Sequence, residues 1–172
     1  MCERESEGII SYYFQTQMSS EQKRIRGVVR IRPLKSTEGD NIISIENDST
    51  TTSQLIVTNN VSLASGRTAT SKSKYQFDAC YGPNTNQHDF FQQEVEPHLN
   101  ITLSGHTATF FCYGMTGTGK SYTMQGSPDN RGIIPRVVAA MLAKLTPLED
   151  AELSMSYLEL YNERVFDLLV II

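Results

Sequence analysis

Between residues 23 and 34 apolar and charged positions alternate: Ile25, Val28, Val29 and Ile31 are interleaved with Arg24, Arg26, Arg30 and Arg32, and the run stops at Pro33. A period near two, closed by a residue that cannot donate to a ladder, predicts a β-strand ending in a turn. The pattern alone leaves open that the arginines line a solvated strand face. Two short β-rich runs at 41–46 and 54–58 predict a hairpin or small meander, followed by a Ser/Thr/Gly/Lys loop over 62–74 and a short strand at 74–77. The period then lengthens. Thr85 is the expected N-cap ahead of Phe90, Phe91, Val95 and Leu99 at helical spacing, with Pro97 placed to bend this helix and Gly105 to close it. An apolar strand is expected over 109–113. Over 132–145, Ile133, Ile134, Val137, Val138, Met141, Leu142 and Leu145 fall on one helical stripe, the pattern of core packing. Leu153, Met155 and Tyr157 alternate as a strand, and 162–169 is expected to close the chain as a short helix.

This order of elements suits an α/β layered domain with a mixed central sheet. Residues 1–22 are polar and Ser/Gln/Glu-rich, apart from Tyr12, Tyr13 and Phe14, and are expected to be a mobile leader; 23–172 form one domain or part of one. The net charge of -4 argues against a dedicated nucleic-acid binder. Cys2, Cys80 and Cys112 show neither a CxxC nor metal-ligand spacing, which predicts reduced thiols and a cytoplasmic setting. No apolar run reaches membrane-spanning length, and Glu3, Arg4, Glu5 and Glu7 stand where a signal peptide would be apolar.

The chemistry is concentrated in 110–121, FFCYGMTGTGKS, which ends in Gly114-x-x-x-x-Gly119-Lys120-Ser121. An apolar strand would aim the chain at a ligand, and Gly114, Gly117 and Gly119 would let the loop, with Met115, Thr116 and Thr118 between them, turn its N–H groups onto phosphate oxygens. Lys120 would reach the β- and γ-phosphates, the Ser121 hydroxyl would ligate Mg²⁺, and a helix starting near Lys120 would present its positive end to the anion. Tyr122, directly after the loop, offers a flat side chain for stacking on a purine; its alternative is an aromatic core residue. A P-loop GTPase lacks support because no NKxD-like motif is present, and a small-molecule kinase because no Arg-rich lid is.

Several motifs, in order, resemble the N-terminal half of a kinesin motor domain. The resemblance rests on Val28-Val29-Arg30-Ile31-Arg32-Pro33-Leu34, on Tyr75-Gln76-Phe77-Asp78 followed by Asn86-Gln87, and on 104–109 with 113–124. Arg131-Gly132-Ile133-Ile134-Pro135-Arg136 and Ser156-Tyr157-Leu158-Glu159-Leu160-Tyr161-Asn162-Glu163 complete it, so that 24–169 are covered. It implies a P-loop NTPase-type domain, here incomplete. It also implies that residues 114–121 hold the phosphates of ATP and Mg²⁺, and that Arg30, Arg32 and Pro33 line the adenine pocket with Tyr122 on the base. The implied activity is ATP hydrolysis coupled to microtubule-based movement, with tubulin as partner and the cytoskeleton as location. Met115 stands where Gln or a similar residue is common, and Ser121 where Thr is usual. The family's two switch segments lie past its YNE signature, so no catalytic residue is expected within 1–172, and a nucleotide-binding module without hydrolysis is the alternative. The strands that flank the phosphate-loop strand in the family also lie past that signature, which implies a strand over 107–113 with two unpaired edges.

Overall fold

The computed structural model describes residues 9–16, 25–34, 43–47, 52–62 and 68–169. The elements run β1 (Ile9–Thr16), β2 (Ile25–Ile31), β3 (Ile43–Asn47), β4 (Ser53–Ser62), β5 (Thr68–Phe77), β6 (Ala79–Tyr81), α1 (Gln87–Glu94), α2 (Glu96–Leu103), β7 (Ala108–Tyr113), α3 (Lys120–Met124), α4 (Ile133–Leu145), β8 (Leu158–Tyr161) and β9 (Arg164–Asp167). The chain divides into two compact units, residues 1–137 and 138–172.

In the first unit a four-stranded mixed sheet has the order β6-β2-β1-β7. β6 is parallel to β2, whereas β1 runs antiparallel to both of its neighbours, from Ile9↔Ile31 to Gln15↔Ile25 on one side and from Ser11↔Tyr113 to Thr16↔Ala108 on the other. This strand lies inside the stretch read as a leader; its sequence IISYYFQT is rich in β-branched and aromatic residues, which favour strands once a ladder is offered. Residues 1–8 and 17–22 lie outside the described residues. The pairing also corrects the expectation of two unpaired edges on the phosphate-loop strand: β1 covers one side of β7.

β2 is the centre of the unit. Val28, Val29, Arg30 and Ile31 are all buried, so both faces of the strand are covered. Val29 and Ile31 join Ile43, Leu55 and Val57 in an apolar cluster beneath the antiparallel meander β3-β4-β5. Alternation sends Val28 and Arg30 to the opposite face, where Arg30 meets α1. That meander is longer than the sequence suggests. β5 starts at Thr68, because Thr68 to Phe77 pair with Ser62 back to Ser53; pairing across a long ladder recruits the Ser/Thr/Lys stretch read as a loop.

The expected single helix over 85–105 is two helices that meet at Val95. Its N-cap is Asn86, whose Oδ1 accepts from the Asp89 N–H at 2.8 Å, and not Thr85, whose carbonyl instead accepts from Arg30 at 3.0 Å. Gly105 (φ 92°) closes α2: its N–H reaches the Thr102 carbonyl at 3.0 Å and the His106 N–H reaches the Ile101 carbonyl at 3.3 Å, the paired bonds of a Schellman ending. α1 buries Phe90 and Phe91, and Val95 and Leu99 continue that face. Each such side chain contributes about 1.5–3 kcal/mol of burial.

Along α4 only Ile133 is buried, and Leu142 is 50% exposed, so the stripe read as core packing is only partly covered. In the second unit β8 and β9 form a hairpin, Leu158↔Asp167 to Tyr161↔Arg164. This corrects both the strand expected at 153–157 and the helix expected at 162–169. Asn162 (φ 48°) and Glu163 (φ 62°) make the turn, and two successive positive φ angles are what a two-residue hairpin loop with the sheet's twist requires.

Candidate nucleotide site

β7 alternates half-buried and exposed positions and delivers the chain to Gly114. The loop that follows is closed by its own groups. Lys120 Nζ donates to the Gly114 carbonyl at 2.7 Å and to the Met115 carbonyl at 2.6 Å. Thr118, 4% exposed, donates its hydroxyl to the same Met115 carbonyl at 2.8 Å. Gly117 (φ 85°) and Gly119 (φ 105°) take left-handed conformations that a side chain would strain. The result is a closed loop of backbone with an ammonium tied into it. An ammonium has three donors; two meet loop carbonyls, and the third is available to a phosphate oxygen. α3 is only five residues long, so its end adds little, and the groups that could meet an anion are the loop N–H groups and Lys120.

Beside the loop lies a polar brace that joins three elements. Arg30, 5% exposed, donates from one guanidinium nitrogen to Gln87 Oε1 at 2.7 Å and to Thr123 Oγ1 at 3.1 Å, and from the other to the Thr85 carbonyl at 3.0 Å. Its guanidinium stands 4.9 Å from the Phe90 ring centroid and 5.6 Å from that of Tyr122, within the range of cation–π attraction. Gln87, 2% exposed, returns its Nε2 to the Tyr122 carbonyl at 2.5 Å. The second strand arginine is equally committed: Arg26 grips Glu94 with two bonds of 2.8 Å, and the Tyr81 hydroxyl donates to the same carboxylate at 2.6 Å. The bond to Glu94 is the main reason the Arg26 pKa is raised. Arg30 is therefore turned onto α1 and away from solvent, whereas Arg26 reaches α1 with a side chain still 41% exposed.

Of the residues expected around the base, the structure brings Arg30 and Tyr122 together, with the Tyr122 ring 45% exposed at the surface. Arg32 donates to the Pro33 carbonyl at 3.2 Å, at the exposed end of β2. Gln87, Thr123 and Asn130, which donates from Nδ2 to Tyr122 Oη at 2.9 Å, were not anticipated from the sequence. A signal for Gln87 exists: with Phe90, Phe91 and Glu94 it forms an i, i+3, i+4, i+7 set, and polar residues on an apolar helical face ask for a buried partner. Burial pushes the Cys112 thiol up to about 12, against the lowering pull of the Lys120 and Arg30 charges, and Cys80 up to about 11. Both stay protonated near neutral pH and are free thiols.

The loop also fits a Mg²⁺-bound triphosphate. No cluster of three or more His, Cys, Asp or Glu that could hold a metal occurs among the described residues. Ser121 nevertheless presents one hard oxygen directly after the lysine, and Mg²⁺ takes few protein ligands and fills its octahedron with phosphate oxygens and water. Among the described residues no helix is long and apolar enough to cross a membrane.

A family model described as the kinesin motor domain matches residues 30–171. The kinesin-like protein KIF22 of Rattus norvegicus is 47% identical over 103 residues, 56% of this chain and 16% of that protein. Its counterpart from Danio rerio is 34% identical over 157 residues, 88% of this chain and 24% of that protein. The chain thus spans a quarter or less of the curated relatives it matches. Among solved structures, the motor domain of the Kar3-like kinesin from Ashbya gossypii superposes with a TM-score of 0.61 at 23% identity, covering 81% of this chain and 44% of that one. The Kar3 motor domain from Candida glabrata gives 0.57 at 24%, covering 81% and 46%; at these identities the likeness speaks for the fold. With the phosphate loop in place at the end of a sheet strand and a family match over most of its length, this chain belongs to the kinesin motor-domain family.

Proposed function

We propose that this chain is the nucleotide-binding portion of a microtubule motor, with residues 114–121 holding the phosphates of Mg·ATP and the base lying against Tyr122. The observation that carries the reading is the loop closed by Lys120 onto the carbonyls of Gly114 and Met115, since a flexible Gly/Thr loop would have no reason to tie down its lysine. Lys120 binds and orients the β- and γ-phosphates, the loop N–H groups share their charge, and Ser121 is the protein ligand for the metal, which neutralises phosphate charge when bound. Arg30 orients Tyr122 from beneath. Within a complete protein, ATP binding and hydrolysis would be coupled to tubulin affinity and place the molecule on the cytoskeleton.

The loop also favours a second reading. Residues 114–121 contain no carboxylate or imidazole, so the loop supplies binding and metal ligation without a group to activate water. A module that holds nucleotide without turnover is therefore the alternative. Titration with a fluorescent ATP analogue, followed by phosphate release with and without microtubules, separates the two. Binding by this chain supports both and its absence defeats both; stimulated release from a protein in which this stretch is followed by the family's switch segments supports the motor, and its absence there supports the module.

A further inference from the structure

We propose that Asn130 is a positioning residue that latches the Tyr122 ring as the wall of a base subsite; the inference rests on the nucleotide reading above. Tyr122 is 45% exposed, and an exposed aromatic ring normally samples several rotamers. Here two contacts reach the ring and a third holds the backbone that carries it. Gln87 Nε2 fixes its carbonyl at 2.5 Å, the Arg30 guanidinium lies 5.6 Å from the ring centroid, and Asn130 Nδ2 donates to Oη at 2.9 Å. The latch is built on stiff backbone. Asn130 and Ser127 exchange backbone bonds of 3.1 Å, the Asn130 N–H also meets Ser127 Oγ at 3.2 Å, and Gly126 bridges Arg131. A Cβ on Gly126 would lie 2.3 Å from the Asn130 carbonyl, so the loop closes only with glycine there. The carboxamide is thus presented from a fixed turn to the hydroxyl of a ring that the buried arginine lies over. Arg30 and Asn130 together leave the ring one orientation, and a purine meets a surface that is already ordered. Stacking contributes most when the aromatic partner does not lose rotamer freedom on binding.

The test uses the full 172-residue chain and two competitors of a fluorescent ATP analogue: ATP, and inorganic tripolyphosphate, which carries the phosphates without a base. Asn130→Ala is expected to weaken ATP about two- to tenfold, the range that one lost side-chain hydrogen bond or one unfrozen ring supplies, with tripolyphosphate affinity unchanged. Tyr122→Phe, which removes only the hydroxyl, should reproduce the effect, and the double variant should be no worse than either single one. If Asn130→Ala unfolds the chain, Tyr122→Phe decides alone. Unchanged ATP affinity, equal weakening of both competitors, or additive losses in the double variant would overturn the latch while leaving the phosphate site standing. A parent chain that binds neither competitor would instead overturn the nucleotide reading, and the latch with it.

Discussion

Arg30 is a buried cation whose partners come from α1, α3 and the loop before α1, so the loss of a partner reaches further than one contact. Replacing Gln87 by Leu removes the acceptor at 2.7 Å and the donor to the Tyr122 carbonyl. The expected cost is about 1–3 kcal/mol, because buried polar groups lose satisfaction; thermal unfolding of the variant, with a clearly lowered Tm, checks this. His98 adds a pH dependence. It packs edge-on against Phe110, with ring centroids 5.6 Å apart. Burial, opposed by Glu94 and assisted by Arg26, holds its pKa below the ordinary imidazole value. The unfolded chain then binds the proton first, so stability is retained above about pH 6.5 and falls as the pH drops from there toward the folded-state pKa. His98→Phe should flatten that limb in a series of denaturant melts, and an unchanged slope would exclude His98 as its cause.

At the scale of elements, the β8–β9 turn carries a cost that can be relieved. Glu163 adopts φ 62° without being glycine, a left-handed conformation that disfavours a side chain by roughly 1–2 kcal/mol. Glu163→Gly is therefore expected to stabilise the hairpin by about 1 kcal/mol, less the added freedom of the unfolded chain, read as slower amide exchange across β8 and β9. The same turn shows where the sequence is legible and where it is not. Strands with strong local patterns, β2, the start of β4 and β7, and the helices after Asn84, are all readable from period and punctuation. The hairpin is not announced by the sequence, which predicts a helix over 162–169, because Asn162-Glu163 lacks the glycine that usually advertises such a turn. β1 draws its state from β7, remote in sequence, and the first half of β5 from its hairpin partner β4, while Asn86 takes the cap and the Thr85 carbonyl serves Arg30. At the site, the phosphate loop was legible as a motif, whereas Gln87 and Asn130 required knowing which elements meet.

For the molecule as a whole, β1 sits between β2 and β7 and so connects the core strand to the strand that carries the phosphate loop. Removing residues 1–16 would leave the facing N–H and C=O groups of both strands without ladder partners, at about 1–3 kcal/mol for each buried group. The total stability of a domain is only about 5–15 kcal/mol. The shortened chain should therefore lose cooperative unfolding and exchange the amides of Ala108–Tyr113 quickly, while the parent protects those facing β1; equal protection in both would mean that β1 does not hold the sheet together. The central claim is that Lys120 closes a phosphate site, and its most direct test is the affinity of a fluorescent ATP analogue for the parent chain and for Lys120→Ala, each shown to be folded by circular dichroism. A charge-assisted bond contributes about 1.5–3 kcal/mol, and the account predicts that the variant binds at least about tenfold more weakly. Equal affinity in the two proteins would contradict it.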